Sequence, residues 1–309
     1  MIEVKHLSKQ YGTKRAVDDI SFSIAPGEIV AFLGPNGAGK STTMNMLTGY
    51  ISATSGSVSV DGYDILENPM EAKRRIGYLP ELPPLYLDMT LDEYLDFVYD
   101  LKGAKQPRKE HLEQIKELTS LSHMGGRLLR NFSKGYRQRA GLAQALVGDP
   151  PVLILDEPTI GLDPTQIIEF RNVISSLKKT TIISTHILSE ASALCTRMLI
   201  INRGRVIASG DRSAMSGENE FRYTVQLAAD EAQAKAAISS VEGIEEMKKE
   251  ETEDGLVTLS LSCTEDIRPA LCRVLAKADI PILTLKKSVP TLEEIFLRAV
   301  SGTEEEGEK

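Results

Sequence analysis

The chain has 309 residues, of which 41% are hydrophobic, so it can form about two domains with sizeable cores. Its formal net charge of −8 argues against a dominant nucleic-acid surface, and no apolar run approaches the roughly 18 residues of a transmembrane helix. The three widely spaced cysteines (Cys195, Cys263 and Cys272) argue against a disulfide framework or a zinc site and predict buried free thiols.

The first two thirds of the chain alternate β-like apolar runs with helical stretches, up to about residue 215. This order is typical of an α/β domain with a largely parallel sheet. One block, from about residue 85 to 135, has no strong strand, and Leu112, Ile115 and Leu118 recur there at helical spacing. We therefore predict an α/β domain over residues 1–216 that contains a helical subdomain at about 85–135.

The last third has a different pattern, which begins after the Gly- and Ser-rich segment SGDRSAMSGENE. Residues 217–300 predict the order β-α-β-β-α-β, the split βαβ arrangement of a ferredoxin-like α+β domain. A final helix is predicted where Thr291 and Glu294 match a capping box. The acidic segment 301–309 is predicted to be disordered.

A phosphate-binding pattern occurs at residues 34–41, where GPNGAGKS matches G-x-x-x-x-G-K-[ST] between an apolar strand and a helical run. Glycines let backbone N–H groups turn towards phosphate oxygens, while Lys40 reaches the β- and γ-phosphates and Ser41 binds Mg²⁺. The alternative, a glycine-rich turn with an incidental lysine, does not account for both correct flanks. The predicted nucleotide-binding residues of this loop are Gly34, Pro35, Asn36, Gly37, Ala38, Gly39, Lys40, Ser41 and Thr42.

A second half of a P-loop NTPase site is predicted at residues 152–157, which read VLILDE. A carboxylate at the end of such a strand holds Mg²⁺ from the far side, and this is the role predicted for Asp156. Glu157 is then placed as the general base for the attacking water. Alone, a strand that ends in Asp-Glu is more often an exposed strand end, but the loop at 34–41 favours the catalytic interpretation.

Three prolines surround Glu81 in the segment RRIGYLPELPPLY, residues 74–86. Because proline fixes φ and lacks an N–H, Pro80, Pro83 and Pro84 exclude both a helix interior and a central strand. The segment is therefore predicted to be a stiff, extended loop that carries one carboxylate.

With these motifs the chain resembles the ATP-binding subunit of an ABC transporter over roughly its first 215 residues. The segment NFSKGYRQR at 131–139 is similar to the family's signature sequence, and GLDP at 161–164 follows at the distance of its D-loop. STH at 184–186 ends a strand as the family's switch histidine does. Tyr11 lies where the family places an aromatic ring that stacks on adenine. The resemblance implies a P-loop NTPase of the ABC ATPase type that uses ATP and Mg²⁺.

The resemblance also implies roles for single residues. His186 would contact the γ-phosphate and hold the attacking water, although a lone strand-end histidine is more often ordinary. Ser133, Lys134 and Gly135 would bind the ATP held by the opposite subunit, so that two chains enclose two nucleotides. Lys134 departs from the family pattern and adds a positive charge, and Ser133 taken alone could be only a helix cap.

Glu81 occupies the position of the glutamine for which the family's flexible loop is named. That glutamine contacts Mg²⁺ and water, and its loop lies against the transmembrane subunit. A carboxylate can make the same contacts but brings negative charge near a triphosphate. The alternative is that Glu81 faces solvent without a catalytic role.

The sequences GYLPE and TLEEIFLRAVSG resemble the ABC-2 branch, whose members serve drug, sodium, copper-processing, polysaccharide or gliding-motility systems, usually as exporters. The LPE variant is most similar to gliding-type subunits. The resemblance implies separate transmembrane permease subunits, a second copy of the chain or a related ATPase, and no nucleic acid. Because no signal peptide is evident, we expect a cytoplasmic protein on the inner face of the cell membrane. The alternative is a soluble ABC ATPase that acts as a regulatory switch or on ribosomes or DNA.

Overall fold

The computed structural model describes residues 1–211, 221–253, 256–288 and residue 296. Two compact units are present, one containing the described residues up to 211 and the other those from 221. The predicted final helix from Thr291 and the acidic segment 301–309 lie outside the described residues. In the part of the chain that is described, no helix has the length and apolar character needed to cross a membrane.

The first unit begins with an antiparallel sheet in the strand order β2-β1-β4-β5. Its strands are β1 (Ile2–Tyr11), β2 (Lys14–Ile24), β4 (Ser55–Val60) and β5 (Tyr63–Asp64). The first two strands form a hairpin in which Tyr11 pairs with Lys14 across a turn where Gly12 has a φ of +56°. This sheet adds an antiparallel layer to the largely parallel sheet expected from the sequence.

The second sheet of this unit has the order β10-β9-β3-β8-β7-β6 and is parallel except for the β9–β10 pair. Its strands are β3 (Ile29–Leu33), β6 (Ile76–Leu79), β7 (Val152–Asp156), β8 (Thr180–Thr185), β9 (Arg197–Asn202) and β10 (Arg205–Asp211). Every residue of β7 and β8 is buried, as is usual for strands covered on both faces. The apolar core combines side chains from both sheets with three residues of the first helix, Met44, Met46 and Leu47.

Seven helices accompany these sheets in the described residues of the first unit. They are α1 (Lys40–Leu47), α2 (Pro69–Arg74), α3 (Leu91–Lys102), α4 (Arg108–Leu118), α5 (Lys134–Leu146), α6 (Pro164–Leu177) and α7 (Leu188–Leu194). The block from 85 to 135 contains α3, α4 and two short 3₁₀ turns, Ser122–Met124 and Leu129–Asn131, with no strand. Thr90 and Glu93 form a capping box that fixes the start of α3.

Over the described residues 221–253 and 256–288, the second unit is an antiparallel sheet with two helices on one face. Its strands β11 (Phe221–Leu227), β12 (Ile244–Glu253), β13 (Leu256–Cys263) and β14 (Ile282–Ser288) lie in the order β12-β13-β11-β14. The helices Glu231–Ile238 and Arg268–Lys277 connect β11 to β12 and β13 to β14. Alternate residues of β11 and β13 are buried and share a core with Ala234, Ile238, Leu271 and Leu275 of the helices.

All three cysteines are free thiols, and two of them, Cys195 and Cys263, are buried as predicted. Burial raises the pKa of Cys195 to about 12, so this thiol is unreactive at neutral pH. The prediction was wrong for Cys272, which is exposed. Its helix buries Leu271 and Leu275, and the next position, 272, therefore lies off that buried face.

Candidate nucleotide-binding site

The loop between β3 and α1 has the backbone geometry of a phosphate cradle. Gly39 has a φ of +109°, and a Cβ at this position would lie 2.5 Å from the carbonyl oxygen of Ala16. Both observations require glycine. Lys40 opens α1, and its ammonium group donates to the carbonyl oxygens of Gly34, at 2.8 Å, and Pro35, at 3.3 Å. The lysine therefore curls back beneath the loop, close to where phosphate oxygens would lie.

Two predicted catalytic residues, Glu157 and His186, meet the predicted phosphate-binding Lys40 at the carboxyl ends of the parallel strands. Nζ of Lys40 lies 3.3 Å from Oε1 of Glu157, and Nδ1 of His186 lies 2.9 Å from Oε2. The side chains of Lys40 and Glu157 are only 6% and 9% exposed. In such a poorly solvated place, charged groups interact more strongly than at a surface.

Glu157 is held in an uncommon backbone conformation. Its φ is +47°, in the left-handed region, directly after β7 ends. The Glu157 N–H donates to both the carbonyl oxygen and Oγ of Ser184, each at 3.1 Å. Strain of this kind persists where neighbouring structure fixes it and is frequent at functional sites.

Asp156 is buried beside two hydroxyl groups, those of Ser184 and Ser41, which donate to its carboxylate. Burial raises the pKa of Asp156, and the charge of Glu157 adds to this, while the two hydroxyls and Lys40 oppose it. A cation bound at this position would relieve the cost of the buried negative charge.

The side chains around Asp156 determine which metal ion could bind there. Within the described residues no group of three or more His, Cys, Asp or Glu side chains is arranged to hold a metal by itself. Mg²⁺ is usually held by one or two carboxylates together with substrate phosphates and waters. The adjacent hydroxyl of Ser41 and carboxylate of Asp156 supply hard oxygen ligands, so the residues fit this ion.

One cleft of about 550 Å³ collects most of the predicted site residues. It is lined by Tyr11, Lys14, Ala16, Asn36, Gly37, Gly39, Lys40, Ser41, Thr42, Glu81, Glu157, Ile160 and His186. The Tyr11 side chain is half exposed at the end of β1, where a planar base could stack on it. Sequence reasoning missed Lys14 and Ala16, because their strand β2 was not predicted. The short Gly12 turn between two alternating apolar runs could have indicated that hairpin.

The predicted signature residues are not part of this cleft. Ser133 caps α5 by accepting a hydrogen bond from the N–H of Tyr136 at 3.3 Å. Lys134 lies against Gly161 of the GLDP segment, and a Cβ on Gly135 would lie 2.6 Å from Oε1 of Gln166. The signature segment therefore packs on the GLDP loop and α6 of its own chain, away from the residues around Lys40.

Comparison with known protein families finds two matches along the chain. The model described as "ABC transporter" matches residues 17–160, and the model described as "ATP-binding protein DrrA1-3-like, C-terminal domain" matches residues 215–300. The chain is 33% identical over 306 residues to the bacitracin transport ATP-binding protein BcrA of Bacillus licheniformis, covering 98% of each chain. It is 32% identical over 311 residues to the linearmycin resistance ATP-binding protein LnrL of Bacillus subtilis, covering 98% of this chain and 99% of the relative.

Solved structures give the same result for the fold. The ATP-binding subunit of an ABC transporter matches with a TM-score of 0.66 and 32% identity, over 71% of this chain and 92% of that one. A bacterial ABC transporter cassette solved as a dimer matches with a TM-score of 0.63 and 25% identity, over 68% of this chain and 98% of that one. The chain belongs to the family of ABC transporter ATP-binding proteins, in the branch that carries a DrrA1-3-like C-terminal domain.

Proposed function

We propose that this ABC ATPase binds MgATP in the cleft around Lys40 and hydrolyses it to power export of an antibiotic or other drug-like compound. The observation that carries the proposal is the meeting of Lys40, Glu157 and His186 beneath the glycine-rich loop. The export substrate is inferred from the bacitracin and linearmycin relatives, which match along nearly their whole length.

The proposed division of roles follows from the chemistry of each group. Tyr11 would stack on the adenine, while Lys40 and the N–H groups of the 34–42 loop, other than at Pro35, would bind the phosphates. Ser41 and Asp156 would hold Mg²⁺, which would neutralise phosphate charge. Glu157 takes a proton from the attacking water, since its carboxylate lies at the floor of the cleft. His186 orients that carboxylate and contacts the γ-phosphate. Glu81, which lines the same cleft, would contact water bound to the ion.

We infer that the active form contains two such cassettes. Ser133, Lys134 and Gly135 of one chain would bind the nucleotide held by the other, at the start of helix α5, where N–H groups and the helix dipole favour anions. These three residues do not line the cleft around Lys40 of their own chain, which supports this arrangement. The similar cassette that was solved as a dimer also supports it.

Membrane permease subunits are the proposed partners. Several exposed apolar side chains lie in or near the proline-rich loop that carries Glu81. They support this proposal, because exposed apolar clusters commonly mark interaction surfaces. Leu82, Tyr86 and Leu87 of the chain after Glu81 are exposed, as are Phe97 and Leu101, which lie four residues apart on α3. The rings of Tyr86 and Phe97 pack edge to face with centroids 5.3 Å apart. Docking there would place the chain on the cytoplasmic face of the membrane.

We assign the ATPase domain to residues 1–216, with its helical subdomain at about 85–135, and an accessory domain to residues 217–300. The two compact units and the ranges of the family matches support these bounds. A ferredoxin-like topology for the accessory domain is supported by two helices on one face of a β12-β13-β11-β14 sheet.

The proposal is tested with purified protein by measuring Mg²⁺-dependent ATP hydrolysis and the ATP-dependent change in oligomeric state. We expect the parent to hydrolyse ATP and Lys40→Ala to lose phosphate binding and activity. Reconstitution with a candidate multi-span permease should change the rate. A rate that ignores every permease but responds to ribosomes or DNA would instead support a soluble ABC ATPase.

A further inference from the structure

One face of α5 holds the proline-rich loop that follows β6. Gln138, Gly141 and Gln144 are spaced three residues apart, so they lie along one side of the helix. Nε2 of Gln138 donates to the backbone carbonyl oxygen of Glu81 at 3.2 Å. The Gln138 side chain is 1% exposed, and among the described residues its Oε1 has no hydrogen-bond partner. The buried Gln138 amide therefore makes its hydrogen bond to the loop through Nε2, and this bond fixes the backbone at Glu81.

The same face makes two further contacts with the loop. A Cβ on Gly141 would lie 2.6 Å from Cδ1 of Leu79 and 2.7 Å from Cγ of Pro83, so the loop packs directly on the helix backbone. The hydroxyl of Tyr94 donates to Oε1 of Gln144 at 2.6 Å and lies 3.4 Å from the carbonyl oxygen of Pro84.

The loop has few means of its own to stay in place. Pro80, Pro83 and Pro84 have no N–H, so they cannot donate backbone hydrogen bonds to neighbouring strands or helices. The position of Glu81 therefore depends on donors that reach the loop carbonyls from outside, and Gln138 is bonded to the carbonyl of Glu81 itself.

Helix α5 is itself anchored at both ends. Ser133 caps its first turn, and the Lys102 ammonium donates to the carbonyl oxygens of Gln144, Ala145 and Val147 at 2.9, 3.0 and 3.0 Å at its end. At 13 residues the helix is about 20 Å long, and it connects the signature segment to the Glu81 loop as one rigid body.

We propose that Gln138 is a positioning residue that holds Glu81 at the nucleotide cleft and ties it to the signature segment on the same helix. The inference rests on the proposed function, because it takes Glu81 to act on the Mg²⁺-bound water and the signature to bind the partner's nucleotide. When the signature segment binds the nucleotide held by the second cassette, it would move. Gln138 would then transmit that movement to the carboxylate of Glu81 in its own chain.

The test is Gln138→Met, which keeps the length of the side chain but removes both the donor and the unpaired acceptor. We expect kcat for ATP hydrolysis to fall roughly three- to tenfold, the range that the loss of one hydrogen bond gives. KM for ATP and the thermal midpoint should stay within error of the parent. Gln114→Met, on the exposed side of α4, is the matched control and should behave as the parent.

A double variant separates positioning from a merely structural role. In the background of Glu81→Ala, we expect Gln138→Met to cause no further loss, because the group that it positions is gone. An unchanged kcat for Gln138→Met, or an equal loss in both backgrounds, would overturn the inference and leave the proposed function intact. A parent rate for Glu81→Ala alone would instead remove the catalytic role of Glu81, and the inference with it.

Discussion

Nδ1 of His186 lies 2.9 Å from Oε2 of Glu157, so the carboxylate at the end of β7 is bonded to the residue that follows β8. As an ionised carboxylate, which the proposed base must be, Glu157 only accepts hydrogen bonds, so Nδ1 of His186 would be the donor in this contact. The other oxygen of Glu157 lies 3.3 Å from Nζ of Lys40. One carboxylate is thus oriented from both sides by residues of different segments, as a general base must be.

Glu157→Gln should abolish turnover without preventing nucleotide binding. Glutamine has nearly the same shape, and its amide oxygen can accept from the Lys40 ammonium, but its NH₂ group cannot accept a hydrogen from Nδ1 of His186 or a proton from water. We expect kcat to fall at least about a hundredfold, in keeping with the loss of a general base. Fluorescent-ATP titration should give parental affinity, and size-exclusion chromatography with MgATP should show a trapped dimer. Hydrolysis at the parental rate would exclude Glu157 as the base.

Glu81→Gln should raise turnover modestly and leave ATP binding unchanged. The amide keeps an oxygen for the Mg²⁺-bound water, while the negative charge beside the triphosphate is removed. A unit charge at several ångströms in a partly solvated cleft is worth about 1 kcal/mol, so we expect a roughly fivefold increase in kcat. Steady-state hydrolysis at saturating Mg²⁺, with and without a membrane partner, is the measurement. No change under either condition would indicate that Glu81 faces solvent.

The sequence was most informative where chemistry demands fixed residue types at fixed spacing. The loop at 34–41 and the pair Asp156 and Glu157 fall at the ends of buried parallel strands, where such strands place ligand-binding groups. The apolar runs of β3 (IVAFL) and β7 (VLIL) are uninterrupted, which makes them easy to recognise.

The remaining features depend on contacts distant in sequence. The hairpin of β1 and β2 is irregular, with register shifts between Val4 and Leu7 and again near Lys9, so its alternation is weak. The bond between Gln138 and Glu81 joins residues 57 positions apart, and no local pattern predicts it. Likewise, only the tertiary structure shows that the signature segment packs on the GLDP loop.

Asp156→Asn should stabilise the protein at neutral pH while it removes Mg²⁺-dependent hydrolysis. Burial raises the pKa of Asp156 above its ordinary value of 3.8. At pH values between 3.8 and the raised pKa, the folded state keeps a proton that the unfolded state has lost. Stability from this group therefore falls as pH rises through that window and stays lower at pH 7. Asparagine has no such titration and can still accept from Ser184.

We expect a gain of about 1 kcal/mol for Asp156→Asn at pH 7, measured by urea unfolding without nucleotide. The gain should shrink on acidification towards pH 4. Ser184→Ala serves as the control, because it removes a hydroxyl donor from the same carboxylate and should destabilise the protein. A less stable Asp156→Asn at pH 7 would show that the charged carboxylate is well satisfied in the fold.

His111 should make stability sensitive to mild acid. Its Nε2 accepts a hydrogen bond from the N–H of Gly148 at 3.0 Å, which requires the neutral ring. Burial lowers the pKa of His111, with Lys102 and Lys179 acting in the same direction and Asp149 opposing them. Below about pH 6.5 the unfolded state binds a proton more readily than the folded state does. The free energy of unfolding therefore decreases as the pH is lowered. In His111→Gln, whose amide oxygen can accept the same bond, the fall between pH 7 and pH 5 should be shallower, and parallel pH profiles would contradict this role.

Gly141→Ala should loosen the Glu81 loop although it improves an intrinsic helix propensity. Alanine in a helix interior is favoured over glycine by about 1 kcal/mol, which alone would stabilise α5. The added Cβ would lie 2.7 Å from Cγ of Pro83, however, and a proline ring cannot rotate away as a flexible side chain does. We therefore expect net destabilisation of about 1–3 kcal/mol together with a lower kcat.

Gly126→Ala is the matched control for this substitution, since nothing lies within 4 Å of a Cβ at that position. Urea unfolding and ATPase assays of the two variants separate steric displacement of the loop from a general effect of replacing glycine. A stabilised Gly141→Ala with parental turnover would mean that the loop moves aside without cost. The contact between α5 and Pro83 would then not position Glu81, and the hydrogen bond from Gln138 would have to hold the loop alone.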